Sequence, residues 1–444
     1  MERFNLPNPR MVAIELLARV SESDSYINLL LPGFLTKAQV PDSDRGLVQE
    51  LSYGTLRWQL QYDSFIDHFT AGKTLSPKLR IAIRLGMHQL FRMRVPAHAA
   101  IHETVELVKS FERSAAGMAN AVLRNADRAG FDNLLAECIK GMRPEEVLAI
   151  RYSHPAWVIS ALRSALELDG KQEQLEALLT ANNETPIINL AALPNTKAAD
   201  YLRSQGLQPG QAAPTGFLAS GNPETFLSTA GVRVQDQGSQ LVALALLEVA
   251  DKSGRWLDMC SGPGGKAAML QAGIAAGGGV LDCLEPIPAR ADLVKQALNP
   301  DLPGNVKVGY GQQAPANSYD AVLLDAPCSG LGSVRRKPES RWRKTTEQLS
   351  GLTKIQTELL DAATLALKPG GYLLYSTCSP LVIETNTQIK QLLENHPELE
   401  LINANEVLNK ISPALSMSTN RKTAQLWTHL HATDAMFIAI LRKK

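Results

Sequence analysis

The first third of the chain carries apolar residues at the three- and four-residue spacing of amphipathic helices. We predict an all-α domain over residues 1–135, in which Pro96 separates two helices and Ser43 or Asp42 caps another. Its five predicted helices are residues 10–20, 44–59, 78–91, 101–111 and 115–125. A purely structural helical domain would show the same periodicity, so the pattern alone assigns no ligand to it.

The pattern changes in the middle of the chain. A charged stretch with Pro144 predicts a linker over residues 132–153, and a helical segment follows it. PIINLAAL, from residue 186, has the composition of a strand, whereas residues 198–205 suit a short helix and residues 216–226 a loop-rich segment. We therefore predict a linker and a small α+β subdomain over residues 145–230.

Three apolar runs in the second half of the chain end in small and reactive residues. They are WLDMCSGPGGK at residues 256–266, YDAVLLDAPCSG at 319–330 and GGYLLYSTCS at 370–379. Such runs are typical of the buried strands of a parallel sheet, whose carboxyl ends line one crevice. The predicted fold for residues 231–444 is a Rossmann-like, doubly wound α/β sheet, and we expect its chemistry in that crevice.

The first of these runs ends in a glycine-rich turn before a predicted helix. Gly262, Pro263, Gly264 and Gly265 turn the chain sharply, and the helix begins near Lys266. Glycines let backbone amides approach a bound molecule, and a helix N-terminus favours negative charge there. An ordinary strand-to-helix connection is the alternative.

An acid follows the second strand of this predicted sheet. Glu285 comes directly after the strand at residues 279–284, where acids of nucleotide-binding sheets accept hydrogen bonds from ribose hydroxyls. Asp282 is the alternative if the register is shifted.

Composition narrows the class of protein. The 444 residues are 45% hydrophobic and 20% charged, as in soluble globular proteins of two or three domains. No apolar run approaches the ~18 residues of a membrane span, and MERFNLPNPR at the N-terminus is not followed by a signal-peptide core. We expect a cytoplasmic protein that contacts no membrane. The five cysteines lack paired metal-ligand spacing, so neither disulfides nor a metal site is predicted.

DMCSGPGGK, DAPCSGLG and STCS together resemble the motifs of the S-adenosylmethionine-dependent RNA 5-methylcytosine methyltransferases. Along nearly its whole length the chain is similar to the RsmB/Sun (Fmu) family, which modifies bacterial 16S ribosomal RNA. DRGLVQELSYGTLR and NAVLRN in the helical part resemble the RNA-binding fold of the antitermination factor NusB. The resemblance implies an RNA-binding helical domain, an RNA-recognition role for the α+β subdomain, and a catalytic sheet domain.

The resemblance also implies that the glycine-rich turn and two acids bind S-adenosyl-L-methionine. The residues that it assigns to the cofactor are Cys260, Ser261, Gly262, Pro263, Gly264, Gly265, Lys266, Glu285 and Asp325.

Methylation of cytosine at carbon 5 needs a reactive thiol, because this carbon is nucleophilic only after a thiolate has added to carbon 6. By position in STCS, Cys378 matches the family's nucleophile, and Cys328 in DAPC matches the cysteine that releases the adduct. The reverse assignment is chemically possible. Asp325 could hold the target base, and Lys266 could lower a thiol pKa or bind phosphate, or it could be a solvated lysine.

RRKPESRWRK, at residues 335–344, is a strongly basic segment with six basic residues against one acid. We predict RNA contacts by Arg335, Arg336, Lys337 and Arg341, with Trp342 stacking on a base. The alternative is that the segment is an ordinary solvated surface. The overall net charge of +1 neither requires nor excludes binding of nucleic acid.

We expect a monomer that acts on small-subunit ribosomal RNA before the subunit is fully assembled. The same chemistry on tRNA or large-subunit RNA remains open. The alternative from a different functional class is a non-catalytic RNA-binding or antitermination factor. Its best support is the third strand, which ends in Gly311 and Gln312 where related enzymes have an aspartate for the adenine end of the cofactor.

Overall fold

The computed structural model describes residues 8–23 and 25–444, which form two compact units. The helical unit runs to Arg163 and also includes Val334–Arg343, whereas the sheet unit comprises Ser164–Ser333 and Lys344–Lys444. This division differs from the predicted boundaries, because residues 131–152 are helices of the first unit and the α+β segment belongs to the second. The first seven residues, on which the expectation about a signal peptide depends, lie outside the described residues.

The helical unit is built from amphipathic helices around one apolar core. Leu16, Leu51, Phe65, Ile83 and Leu123 are fully buried in it. The helices in chain order are α1 Pro9–Glu22, α2 Ile27–Lys37, α3 Asp42–Arg57, α4 Gln59–Thr70, α5 Pro77–Arg92, α6 Ala97–Phe111, α7 Ala116–Ala129, α8 Phe131–Cys138, α9 Pro144–Tyr152 and α10 Ala156–Leu168, the last of which continues into the sheet unit.

The five predicted helices correspond to α1, α3, α5, α6 and α7. The prediction of a linker over residues 132–153 is wrong, because α8 and α9 occupy most of it. The predicted cap of α3 is also wrong. Pro41 stands at that N-cap, and no side chain accepts a hydrogen bond from the helix there.

The sheet unit begins with a small antiparallel sheet in the strand order β2-β3-β1-β4. Its strands are β1 Ile188–Ala192, β2 Gln208–Pro209, β3 Gly216–Ala219 and β4 Val232–Val234. The accompanying helices are α11 Leu175–Ala181, α12 Ala198–Ser204 and α13 Glu224–Leu227. The predicted strand at PIINLAAL and the short helix after it are both present.

A larger sheet forms the rest of this unit, in the order β10-β12-β9-β8-β5-β6-β7 with β11 paired to β12. Its strands are β5 Arg255–Asp258, β6 Val280–Glu285, β7 Gly304–Val308, β8 Tyr319–Asp325, β9 Leu367–Thr377, β10 Leu399–Ile402, β11 Ala424–Gln425 and β12 Phe437–Lys443. The five strands from β9 to β7 are parallel. β12 runs antiparallel to β9, and β10 runs antiparallel to β12, hence in the direction of the parallel strands.

Helices cover both faces of this sheet, as the continuous burial of its central strands requires. Trp256 and Leu323 pack in one apolar cluster with α14 and α15, whereas Leu257 and Leu324 pack in another with α18. The helices of the unit are α14 Gln237–Val249, α15 Gly265–Ile274, α16 Pro288–Ala297, α18 Thr346–Ala366, α19 Asn386–Asn395, α20 Ala404–Ile411 and α21 Thr428–His431, while α17 Ser340–Arg343 belongs to the helical unit. The doubly wound fold is therefore confirmed.

The chain order places the crevice at the carboxyl ends of β5 and β8. From β5 the chain adds β6 and β7 on one side, then returns to add β8 and β9 on the other. Strand order reverses at this point, and helices leave in opposite directions from it. Open α/β sheets bind their ligands at such a switch point.

Candidate active site

The glycine-rich turn joins β5 to α15 and lies against the end of β6. Gly264 has a φ of +102°, in the region that favours glycine. The Gly262 amide donates a hydrogen bond of 3.1 Å to Oε2 of Glu285. A Cβ at Gly262 would lie only 2.1 Å from that oxygen, so the close approach requires a glycine.

Glu285 and Asp282 lie in different surroundings. Glu285 ends β6 beside the turn and also accepts a bond from the Ile287 amide. Asp282 lies farther back in the strand, where Arg255, Asn305 and the Tyr319 hydroxyl occupy its carboxylate. The geometry therefore favours Glu285 over Asp282 as the residue that faces a ligand in the crevice.

Asp258 is a buried acid that the sequence reasoning missed. It ends β5 immediately before the turn and is 1% exposed. Burial and the nearby Asp325 carboxylate raise its pKa to about 7, although Lys266 opposes the shift. Its signal was present in the sequence, because it is the acid that opens the DMCSGPGGK motif.

Lys266 and Asp325 form an ion pair at the crevice. Lys266 Nζ lies 2.7 Å from Oδ2 of Asp325, whose Oδ1 accepts a bond of 2.8 Å from the Ser376 hydroxyl. Burial lowers the pKa of Lys266, but Asp325, Cys378 and Asp258 together raise it above its ordinary value. Lys266 is therefore a charged residue of the crevice and not a solvated lysine.

The parallel pairing of β8 and β9 brings Cys328 and Cys378 together. Asp325 and Ser376 are opposite each other in the register, so both strands end side by side and the cysteine loops follow. The two Sγ atoms are 3.4 Å apart, and both residues are partly exposed. Two thiols at this distance can both reach a single bound base.

Backbone contacts also hold the two cysteine loops together. The Gly332 amide donates to the Cys378 carbonyl at 2.8 Å, and the Ala435 amide donates to the Gly332 carbonyl at 2.9 Å. A Cβ at position 332 would lie 2.1 Å from the Ala435 oxygen. The segment after Cys328 therefore depends on a glycine at this position.

The cysteines near the crevice differ in their electrostatic surroundings. A hydrogen bond with Cys378, burial, and the charges of Cys378 and Glu384 raise the pKa of Cys328 well above its ordinary value. Burial and three neighbouring carboxylates likewise raise the pKa of Cys260. A thiolate at Cys378 is instead attracted by the Lys266 ammonium, because the two groups interact favourably.

The structure assigns the basic segment, except its last residue Lys344, to the helical unit. Arg341 is 0% exposed and donates to the carbonyls of Arg57 and Ser153. The Trp342 indole donates to the Leu56 carbonyl at 2.9 Å. Arg343 donates to the carbonyls of three residues that follow or end α1, namely Val20, Ser23 and Ser25.

The prediction of RNA contacts by Arg335 and Arg341 is wrong, because both side chains are buried. The acceptors lie at the C-termini of α1, α3 and α9, where helices leave carbonyl groups unsatisfied and favour cations. Trp342 uses its polar group in the same way. Arg336 is exposed, while Lys337 and Trp342 are partly exposed, so these three stay predictions as RNA contacts.

The described residues contain no group of three or more side chains that could hold a metal ion. Across residues 8–23 and 25–444, no helix is long and apolar enough to cross a membrane. His88 is a core residue hydrogen-bonded to Tyr62 and Glu50.

Fold and site together define a Rossmann-like methyltransferase joined to a NusB-like helical domain. The model of the 16S rRNA methyltransferase RsmB/F family matches residues 244–442, and that of the NusB family matches residues 7–128. The chain belongs to the RsmB/F methyltransferase family, since it aligns over most of its length with members named as such.

Two relatives and one solved structure illustrate the similarity. A putative methyltransferase of Mycobacterium tuberculosis, MT1451, is 37% identical, over 99% of this chain and 98% of its own. Ribosomal RNA small subunit methyltransferase B of Pseudomonas syringae pv. tomato is 34% identical, over 87% of this chain and 86% of its own. The crystal structure of PH0851 superposes with a TM-score of 0.76 at 21% identity, covering 98% of this chain and 99% of that one.

Proposed function

We propose that this protein methylates carbon 5 of a cytosine in small-subunit ribosomal RNA through a covalent bond between Cys378 and the base. The observation that carries the proposal is the pair of partly exposed thiols, 3.4 Å apart, beside the Lys266–Asp325 ion pair. Methyl transfer to a nitrogen, an oxygen or a more nucleophilic carbon has no need of two such thiols.

S-adenosyl-L-methionine, when bound, supplies an electrophilic methyl group. The residues of the crevice fit this cofactor. Gly262 and Gly264 let the turn pack closely against Glu285 and Ala297, where a Cβ would collide, and Glu285 presents a carboxylate of the kind that binds ribose hydroxyls. The remaining residues that we assign to the cofactor are Cys260, Ser261, Pro263, Gly265, Lys266 and Asp325.

The chain's own groups account for activation and release of the base. The Cys378 thiolate adds to carbon 6, which forms a C–S bond and makes carbon 5 nucleophilic. After methylation Cys328, once its own proton has passed to solvent, removes the proton at carbon 5 as a thiolate, and the electron pair expels the Cys378 thiolate. Asp325 holds the ring while it carries the extra electron density, and Lys266 stabilises the thiolate before and after addition.

The electrostatic difference between the cysteines supports this assignment over the reverse one. Lys266 attracts a negative charge on Cys378, whereas Glu384 and Cys378 both raise the pKa of Cys328. The Lys266 ammonium therefore favours negative charge on Cys378. A thiolate formed at Cys328, whose pKa is raised, is a strong base toward the proton at carbon 5.

The testing experiment uses labelled S-adenosylmethionine and undermodified small-subunit RNA, followed by nucleoside analysis and mapping. We expect label in 5-methylcytosine at one site. Label only in tRNA or large-subunit RNA would contradict the substrate, and label in another nucleoside would contradict the chemistry. Absence of cofactor binding would favour a non-catalytic RNA-binding factor, for which the third strand without an aspartate is the supporting observation.

We further propose that the protein is a monomer, that it is located in the cytoplasm, and that it acts on the RNA before assembly of the subunit is complete. A cytosine inside a duplex cannot reach the cysteines, so the target must be unpaired or flipped out of its stack. Activity on naked RNA but not on assembled subunits is the expected result, and the opposite preference would contradict it.

A further inference from the structure

Glu384 is a buried carboxylate next to the cysteine loops that the mechanism above does not use. It is 0% exposed and follows Cys378 by six residues. Its Oε1 accepts a bond of 2.8 Å from the Ser329 amide. Its Oε2 lies 2.6 Å from the Ser329 hydroxyl and 2.5 Å from the Ser379 hydroxyl. Ser329 directly follows Cys328, and Ser379 directly follows Cys378, so one carboxylate bridges both loops.

Neighbouring residues hold Glu384 in place. Gln356 of α18 donates to its Oε1 at 3.2 Å and to the Pro327 carbonyl at 2.9 Å. The Tyr375 hydroxyl donates to the Glu384 carbonyl at 2.7 Å. The amide and hydroxyl groups around the carboxylate are all donors, an arrangement that suits an ionised acceptor.

The described contacts of Glu384 are hydrogen bonds and include no ion pair. A buried carboxylate that is satisfied by neutral donors costs desolvation energy, and its bonds offset that cost only when the geometry is good. An apolar residue of similar volume could fill the same space without this cost. The arrangement thus gives fixed geometry to the two loops rather than stability.

We propose that Glu384 is a positioning residue that holds the Cys328 and Cys378 thiols at their working distance. The inference rests on the proposed function for its chemical meaning, because both thiols must act on the same base. Displacement of a reacting group by about 1 Å costs on the order of 10²-fold in rate. Loss of the bridge therefore separates the thiols and slows turnover without touching the cofactor site.

The test compares Glu384→Gln with Glu394→Gln, an exposed glutamate on α19 that serves as the matched control. Thiol proximity is measured by titration with phenylarsine oxide, which binds two adjacent thiols together, and Cys328→Ala sets the baseline. We expect Glu384→Gln to weaken binding of the arsenical by roughly tenfold, about 1.4 kcal/mol, and the control to match the wild type. Unchanged binding in Glu384→Gln would overturn the proposal.

A second readout follows methyl transfer by the same variants. We expect kcat to fall by about 10²-fold in Glu384→Gln, with KM for S-adenosylmethionine unchanged. An equal rise in KM for the cofactor, or an unaltered kcat, would overturn the positioning role. If Glu384→Gln does not fold, Ser379→Ala removes one arm of the bridge, and unchanged arsenical binding and kcat in that variant would count against the proposal.

The arsenical titration keeps this inference distinct from the proposed function. A wild-type protein that binds the arsenical but does not methylate cytosine would refute the proposed function and leave the bridge supported. A wild-type protein that methylates cytosine while its Glu384→Gln variant does so equally well would refute the bridge alone.

Discussion

The cysteine loops and the basic segment are close in sequence, yet their side chains lie in opposite environments, the thiols in an accessible crevice and most of the cations in the protein interior. Cys328 is only seven residues from Arg335, where the basic segment begins. The cysteine loops end two parallel strands and bring their side chains together at an accessible crevice. The basic segment turns Arg341, Trp342 and Arg343 inward, onto carbonyl groups at helix ends of the helical unit.

This difference shows which features of a sequence determine where a functional side chain lies in the fold. A reactive residue at the end of a buried strand is placed by the hydrogen-bond register of the sheet, which repeats for every parallel neighbour. A count of positive charges specifies no direction. A guanidinium group has five donors, so it can bind phosphate oxygens or protein carbonyls with the same chemistry.

The largest effect is expected from the cysteines themselves. Cys378→Ala should lower methyl transfer by at least about 10⁴-fold, because no other group adds to carbon 6. Cys328→Ala should instead accumulate a covalent protein–RNA species, visible as a slow band on denaturing gels. Cys138→Ala, in the helical unit, is the matched control. Full activity in Cys378→Ala, or trapping in that variant, would reverse the assignment.

A smaller loss of activity is expected when the backbone contacts of Gly332 with Cys378 and Ala435 are disturbed. Gly332→Ala places a methyl group 2.1 Å from the Ala435 carbonyl oxygen, so the loop after Cys328 must shift. We expect kcat to fall by roughly 10²-fold, since a misplaced thiol reacts slowly. Gly351→Ala, where a Cβ meets no atom within 4 Å, is the control. Normal kinetics in Gly332→Ala would show that the junction is not needed.

The basic segment is tested by comparing a buried arginine with an exposed one. Arg341→Ala should destabilise the helical unit by about 2–4 kcal/mol, because two buried carbonyls lose their donor. Arg336→Ala should leave thermal unfolding within about 0.5 kcal/mol of the wild type, while lowering the slope of RNA affinity against salt by about one unit. Equal melting temperatures for the two variants would contradict the capping role.

An effect on stability of the opposite sign concerns Asp258, whose pKa of about 7 lies above the ordinary value of 3.8. The folded state holds this proton more tightly than the unfolded state, so the residue reduces stability progressively as pH rises from about 4 to about 7. Asp258→Asn should therefore melt at a higher temperature than the wild type above pH 7 in the absence of ligands. The gain should vanish near pH 4. A gain independent of pH would show that the carboxylate is not the cause.

Much of the sheet unit could be predicted from the sequence, because its buried strands are continuous apolar runs and each ends in a distinctive motif. Glu285 and the Cys328–Cys378 pair follow from strand ends alone. The Glu384 bridge could not be found in this way, since its partners Ser329 and Ser379 lie in two loops that only the register brings together. Asp258 was overlooked because an acid inside a motif carries no sign of its burial.

In the helical unit, periodicity predicted long helices but not short ones or caps. Helices α8 and α9 have 8 and 9 residues, too few for a clear repeat beside Gly130 and Pro144. The inward direction of Arg341 was equally hidden, because its acceptors Arg57 and Ser153 are 284 and 188 residues away in the chain.

That separation has a consequence for biosynthesis. The ribosome completes α1, α3 and α9 long before it reaches Arg341, Trp342 and Arg343, which provide hydrogen-bond donors to the carbonyls at the ends of those helices. The nascent helical unit thus emerges without protein donors for the carbonyls at the ends of these helices. Its hydrogen bonding is complete only when about three quarters of the protein has been translated. A fragment that stops at Arg163 corresponds to this unfinished intermediate, and a peptide of residues 334–343 supplies what it lacks.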